Sequence, residues 1–342
     1  MTVPTNVEPG RPGTSPGGGK VGETDLHEDT AAAGLSIKAR TQSELVFRRF
    51  VRHRGAMIGL FVFVAIVVLA ISSIGYGPIP GWWDKTYTGT GSVVDGGRPT
   101  LDVFPAFVDG DGVAWGEHPF GQDSIGRDYF ATTMRGAQQS LQIALIVGLV
   151  STVIGTVVGS VAGYFGGLVE NVLMRAVDVM ITIPLLLLAA VVARGTDGSA
   201  TTLGLLLGIV VWTSLARLVR GEVLSLKERE FVEAARAMGA SPFRIIGRHV
   251  LPNVISTIIV NATLTIAAAI LLETALSFLG FGVQAPDTSL GKLIQEYQTA
   301  FATRPWLFWF PGLMIIGIAL SVNFIGDGLR DAFDPRQNKV RA

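Results

Sequence analysis

Long charge-free stretches alternate along this chain with short polar ones. Ala56 to Ile74 is 19 residues without a charge, about 28 Å of helix at a rise of about 1.5 Å per residue, close to a bilayer's hydrocarbon thickness. Further charge-free runs occupy 136–169, 198–216, 249–272 and 305–326, and a weaker one at 179–193 follows Asp178. This pattern predicts an all-α integral membrane protein with six transmembrane helices. The run at 136–169 exceeds one crossing: Gln138, Gln139 and Gln142 mark a polar entrance, and Gly-Tyr-Phe-Gly-Gly at 163–167 marks a turn. Ser151, Gly155, Gly159 and Gly163 recur every four residues, a spacing that lets helix backbones approach closely and puts this span inside the bundle. The alternative is chance spacing in a chain with 42 glycines.

Residues 1–40 are rich in Gly, Pro, Thr and acidic residues without apolar periodicity, and are expected to form a disordered tail. The first apolar core begins only at Ala56, so the first span (55–76) is read as a retained anchor rather than a cleaved signal. Between them, in 41–54, Thr41 and Glu44 have capping-box spacing, and Leu45, Phe47, Phe50 and Val51 alternate with Arg48, Arg49, Arg52 and Arg54. Two readings stay open: an amphipathic helix on an anionic leaflet, or a basic flank that only sets orientation.

Charge distribution orients the spans. Gly77 to Arg135 holds eight acidic and four basic residues, whereas Arg217 to Asn253 holds seven basic and four acidic ones. By the positive-inside rule the N-terminus, the 217–253 loop and the C-terminal tail (330–342) are cytoplasmic, and 77–135 is extracytoplasmic. A transmembrane core, with the 217–253 loop within it, then covers 136–329. Trp82 and Trp83 fit an interfacial belt, with ligand stacking as the alternative.

Composition narrows the chemistry. Lys+Arg and Asp+Glu are both 27, so net charge gives no reason to expect a nucleic-acid partner. The absence of cysteine excludes disulfides and thiolate chemistry, and four dispersed histidines give no metal pair. No metal site is expected. Ion-coupled transporters place ionisable groups near the bilayer centre, whereas Asp178 and Glu273 fall near the ends of their runs. Gln142, Asn261 and Asn323 are candidates to line a translocation path; the alternative is helix-packing hydrogen bonds.

The polar interruption Glu233 to Asn253, EAARAMGASPFRIIGRHVLPN, stands apart. Phe231, Ala234, Ala235 and Met238 follow helical spacing on one face, with Glu230, Glu233 and Arg236 on another. A short helix should stop near Gly239, and Ser241 with Pro242 should open a second one through Arg248. Either a partner docks on the small alanines, or Glu233 pairs with Arg229 or Arg236 while the helix rests on lipid.

Glu-Ala-Ala, three residues, Gly, then a stretch ending in Leu251-Pro252 resembles the signature loop of membrane subunits of binding-protein-dependent ABC importers. Where the general pattern has isoleucine this chain has His249, which resembles the dipeptide and oligopeptide branch, where RH-x-LPN is common. HPFGQDSIGRD (118–128), ETALSFLGFGVQAP (273–286) and NFIGDGLRDAFDP (323–335) resemble the same branch, over about 45–336. The resemblance implies the type I ABC importer permease fold, and a multi-pass subunit of a bacterial inner membrane that itself hydrolyses nothing. It also implies a second homologous permease, two cytoplasmic ATPase domains holding ATP and Mg, and an extracytoplasmic peptide-binding protein. Glu233, Ala234, Ala235 and Gly239 carry over as ATPase-docking residues, flanked by Ser241, Pro242, Leu251 and Pro252. The implied cargo is di- or oligopeptides. The same architecture importing a nickel chelate, glutathione or haem stays open, as does, more remotely, an ion-coupled transporter or a membrane scaffold.

Overall fold

The computed structural model describes residues 42–101 and 115–333. The expected tail at 1–40, the Thr41 cap, and the parts of the external insertion and C-terminal tail at 102–114 and 334–342 lie outside the described residues. The elements are almost all helical. They begin with α1 (Gln42–Arg52) and α2 (Arg54–Ile74), followed by a two-residue hairpin, β1 (Gly75–Tyr76) and β2 (Ile79–Pro80). Then come α3 (Tyr129–Phe165), α4 (Gly167–Thr182), α5 (Leu185–Ala193), α6 (Ala200–Val211), α7 (Thr213–Leu226) and α8 (Glu230–Ala237). The last are α9 (Pro242–Ile245), α10 (Leu251–Phe278), α11 (Leu290–Tyr297) and α12 (Trp306–Phe333).

Among the described residues four helices are long and apolar enough to cross a membrane, or up to six if each of two bent pairs counts as one span. The expected third span is two helices, α4 and α5, meeting at 91°, and the fourth is α6 and α7 meeting at 44°. Pro184 sits at the first bend. It lacks an N–H and disfavours the helical region for Ile183 before it, whose ψ is 127°. The last helix runs past the expected end of its apolar run to Phe333.

The central element is α3, which packs against α2, α4, α6, α7, α10, α11 and α12. Its regular small residues explain how α7 comes so close. A Cβ built on Gly159 would lie 2.5 Å from the Ala216 carbonyl oxygen, and one on Gly163 would lie 2.9 Å from that of Arg220. Between helices in lipid such backbone approach is the main source of attraction, because apolar burial gains little where the solvent is itself apolar. Gly204 and Gly208 of α6 seat in the same way on Ile146 and Val150 of α3.

The entrance to α3 is built by the 118–128 stretch. Asp128 caps the helix, its Oδ1 accepting from the Ala131 N–H (2.8 Å) and from Trp83 Nε1 (3.1 Å), while Oδ2 lies 2.7 Å from His118 Nδ1. Asp123, buried, accepts from the Arg127 and Ile125 N–H groups, from Arg127 Nε (2.6 Å) and from the Tyr297 hydroxyl (3.1 Å), which ties this loop to α11. Burial first, then the charge of Asp123, raises the Tyr297 hydroxyl above its ordinary value, so it stays a donor. Trp82 and Trp83 join an aromatic cluster with Trp115 and Phe130, ring centroids 5.0–6.1 Å apart and edge to face except for the tilted Trp82–Phe130 pair. Trp83 therefore packs in this cluster and donates to the Asp128 cap.

Candidate functional site

The 233–253 stretch is supported from beneath by a small apolar core. Leu215, Val219 and Val223 of α7 meet Val232 and Ala235 of α8, Ile245 of α9, Val250 just before α10, and Val254 and Ile258 in its first turns; Tyr164 at the end of α3 packs against them. Glu230 and Glu233 occupy the first turn of α8 and Arg236 the last, which suits the helix dipole at both ends. The helix stops where the glycine requires. Gly239 has φ +79°, its N–H donates to Arg236 O (2.9 Å), and Ala240 N–H reaches back to Ala235 O (3.1 Å). These two bonds make a Schellman ending.

After the stop, Ser241 stands at the N-cap and Pro242 at the first helical position, but the Ser241 hydroxyl makes no capping bond. The second helix does not end at Arg248. The chain stays helical through a π-helical segment, Ile246–Val250, and continues into α10. The wider turn is where the backbone receives Pro252, which has no N–H to donate. Leu251 N–H bonds to Ile246 O, and the Asn253 side-chain amide supplies a donor to His249 O at 2.6 Å. Leu-Pro-Asn is thus a joint that fuses the loop to a span.

The structure divides the candidate docking residues into two faces. Ala235 is 2% exposed and belongs, with Val232, to the inner face, so it supports the helix rather than meeting a partner directly. Glu233, Ala234, Gly239, Ser241, Pro242 and Pro252 are exposed; Leu251 is half-buried against the small core. The outward surface is apolar with an acidic edge: Phe231 and Met238 (81% exposed) lie three and four residues either side of Ala234 on the helix, with Glu230 and Glu233 exposed beside them. Neither glutamate forms an ion pair among the described residues, so Glu233 is not used by Arg229 or Arg236. The Arg236 guanidinium instead lies over the Tyr164 ring, 5.9 Å from its centroid. A Cβ built on Gly239 would meet nothing within 4 Å, so the bend is open to a neighbour. Helical spacing did not foresee Phe243 of α9, which is 74% exposed and meets Phe165 at the end of α3 edge to face, ring centroids 6.1 Å apart.

The three candidate path residues are not brought together in one cavity. Gln142 bridges elements, donating to Thr201 Oγ1 of α6 (2.8 Å) and accepting from the Tyr76 hydroxyl (3.2 Å). Asn261 lines two cavities along α10. One, of about 400 Å³, includes Leu218, Thr257, Arg330 and Phe333; the other, of about 270 Å³, includes Val147, Leu185, Ser214 and Thr265. Asn323 lines neither. A polar group absent from that expectation is Glu273, which lies fully buried in α10 and hydrogen-bonds Ser140 and Ser277. The ETALSF run displays it in the sequence, but nothing there reveals its partner from α3.

Residues 155–339 match the family described as binding-protein-dependent transport system inner membrane component, and residues 41–79 match the N-terminal TM domain of oligopeptide transport permease C. The oligopeptide transport system permease protein OppC of Mycobacterium tuberculosis is 42% identical over 300 residues, covering 87% of this chain and 96% of the relative. The protein of the same name from Escherichia coli K12 is 35% identical over 302 residues, 88% of this chain and 94% of that one. Among solved structures, a chain of the inward-facing MetNI methionine ABC transporter aligns at a TM-score of 0.48 with 23% identity, over 59% of this chain and 97% of that chain. The chain belongs to the family of binding-protein-dependent inner-membrane permeases of ABC importers, in its dipeptide and oligopeptide branch.

Proposed function

We propose that this protein is the membrane-spanning subunit of an ATP-driven importer that moves di- or oligopeptides into a bacterial cell across the inner membrane. In this reading it works with a second homologous permease, two cytoplasmic ATPase domains that hold ATP and Mg, and an extracytoplasmic peptide-binding protein. Its relatives are named oligopeptide permeases, and that supports the cargo class. The observation that carries the mechanism is the outward surface of α8: Phe231, Ala234 and Met238 uncovered, Glu230 and Glu233 in no ion pair among the described residues, on a helix clamped by its inner face to α7 and α10.

A helix held in this way transmits force. An ATPase groove that receives Ala234 and Gly239 and offers a basic group to Glu233 moves α8 when ATP closes the two domains. Because α8 shares a core with α7 and the start of α10, those helices move with it. The permease supplies different contacts in its inward- and outward-facing states, which is what coupling to ATP binding and hydrolysis requires.

Six spans with both termini cytoplasmic fit this arrangement. Gln284, just beyond the far end of α10, donates its N–H to Gly198 O (3.0 Å) in the turn between α5 and α6. At the other end Arg220 Nε pairs with Glu170 of α4 (2.7 Å), near the exit from α3. In this reading each bent pair runs from one end of the bundle to the other.

Ala234→Trp tests the docking surface, because the new ring points outward and leaves Val232 and Ala235 in place. Uptake by the reconstituted importer should fall at least about tenfold, the loss of one well-packed contact, and the ATPase subunits should no longer co-purify. A variant that inserts normally, keeps its ATPases and transports at the original rate would remove the coupling assignment.

A further inference from the structure

Helix α1 ends one residue before a membrane span begins. His53 alone separates it from α2, and its Nδ1 accepts from the Ala56 N–H at 3.0 Å, which starts α2 and turns the chain between the two helices. Helix α1 is therefore held at the level where α2 enters the bilayer.

One face of α1 is fastened to the protein. Arg49 Nη1 donates to Ala332 O (3.4 Å), and His53 Nε2 lies 3.3 Å from Asp331 Oδ2, both in the last turn of α12. Val46 and Phe50 lie on the same half-buried side. The opposite face carries Phe47, 69% exposed, and Val51, 44% exposed, one helical turn apart. Arg48 and Arg52 flank them at the same spacing, followed by Arg54 at the start of α2; all three are exposed and form no ion pair among the described residues. Glu44 is the one acidic group described on this outward side.

Two observations identify what covers this face. The helix that follows it, α2, is long and apolar enough to cross a membrane and leaves Ile58, Phe61, Val64 and Val68 uncovered. The charge of the α1 face is positive, with guanidiniums beside, rather than on, the apolar residues. An interfacial helix needs this arrangement: side chains buried at the acyl boundary, and long basic side chains reaching out to the headgroups.

We propose that α1 is an in-plane contact for anionic phospholipid, with Phe47 and Val51 at the acyl boundary and Arg48, Arg52 and Arg54 on headgroup phosphates. Because its inner face is fastened to α12, the lipid it holds also fixes the end of the last span. The inference needs only the membrane spans and does not depend on which cargo is carried or on the ATPases.

Native mass spectrometry of the full chain, extracted from bilayers with equal phosphatidylglycerol and phosphatidylcholine, tests it. The protein should retain phosphatidylglycerol over phosphatidylcholine by about tenfold or more, given roughly 1 kcal/mol per basic residue at a charged surface. R48Q/R52Q/R54Q should bring the ratio near one, while R48K/R52K/R54K keeps most of it and so separates lost charge from lost folding. Equal retention by the unaltered protein, or unchanged preference in the glutamine variant, would overturn the proposal. So would loss of the preference on adding inorganic phosphate but not chloride at equal ionic strength, which would mark a free-anion site.

Discussion

Glu273 brings a carboxyl into the fully buried space between α3 and α10, and its partners are hydroxyls rather than a cation. Ser277 donates at 2.6 Å and Ser140 at 3.1 Å. Ser140 also accepts from the Leu290 N–H (3.1 Å), and Ser289, 3.3 Å from Ser277, caps α11 through the Lys292 N–H (3.2 Å). One acidic side chain thus joins two long helices and the start of a third. Removing one donor leaves a buried acceptor short of a partner, so Ser277→Ala should destabilise the protein by about 1–3 kcal/mol. Ser214→Ala, an exposed position, should change stability by less than about 0.5 kcal/mol. Unfolding of both variants in detergent checks the difference, and equal midpoints would show that the hydroxyl does not matter. The sequence displayed Glu273 within a motif, but its importance comes from Ser140, 133 residues away, and no local pattern encodes that approach.

At the scale of elements, the length and polarity of the apolar runs were enough to find the helices, because any backbone in lipid must satisfy its own hydrogen bonds. The stop at Gly239 was equally legible, since only a left-handed residue makes that ending. Three features were not. The 91° bend between α4 and α5 depends on Pro184 in a surrounding that hydropathy does not describe. The continuity of α9 with α10 depends on a π-helical turn that absorbs Pro252. The inner face of α8, Val232 and Ala235, could not be told from the outer one, because helical spacing marks an apolar stripe without saying whose side chains cover it. The small-residue stripe of α3 gives a direct test of element packing. Gly159→Ala puts a methyl against the Ala216 carbonyl and Val219, whereas Gly221→Ala on α7 meets nothing within 4 Å. The first should lower the thermal midpoint and destabilise by about 1–3 kcal/mol through overpacking; the second should be neutral or slightly stabilising. If both behave alike, α3 and α7 do not pack as closely as described.

At the scale of the whole molecule, the number of crossings decides which surfaces an ATPase or a binding protein can reach, and the turn between α5 and α6 discriminates best. If only the four long helices cross, this turn lies on the same side as α8; if each bent pair crosses, it lies opposite. The hydrogen bond from Gln284 to Gly198 favours the second arrangement, since Gln284 follows the end of α10 remote from α8. The chain has no cysteine, so a single introduced thiol is the only one to label. Ser92→Cys, Arg194→Cys, Met238→Cys and Thr303→Cys all replace exposed residues. A membrane-impermeant maleimide applied from outside the inner membrane should label positions 92, 194 and 303 and leave 238 untouched; inverted vesicles should give the opposite result. Position 194 labelling together with 238 would reduce the crossings to four, and 238 labelling from outside would move the α8 surface beyond the reach of any cytoplasmic ATPase.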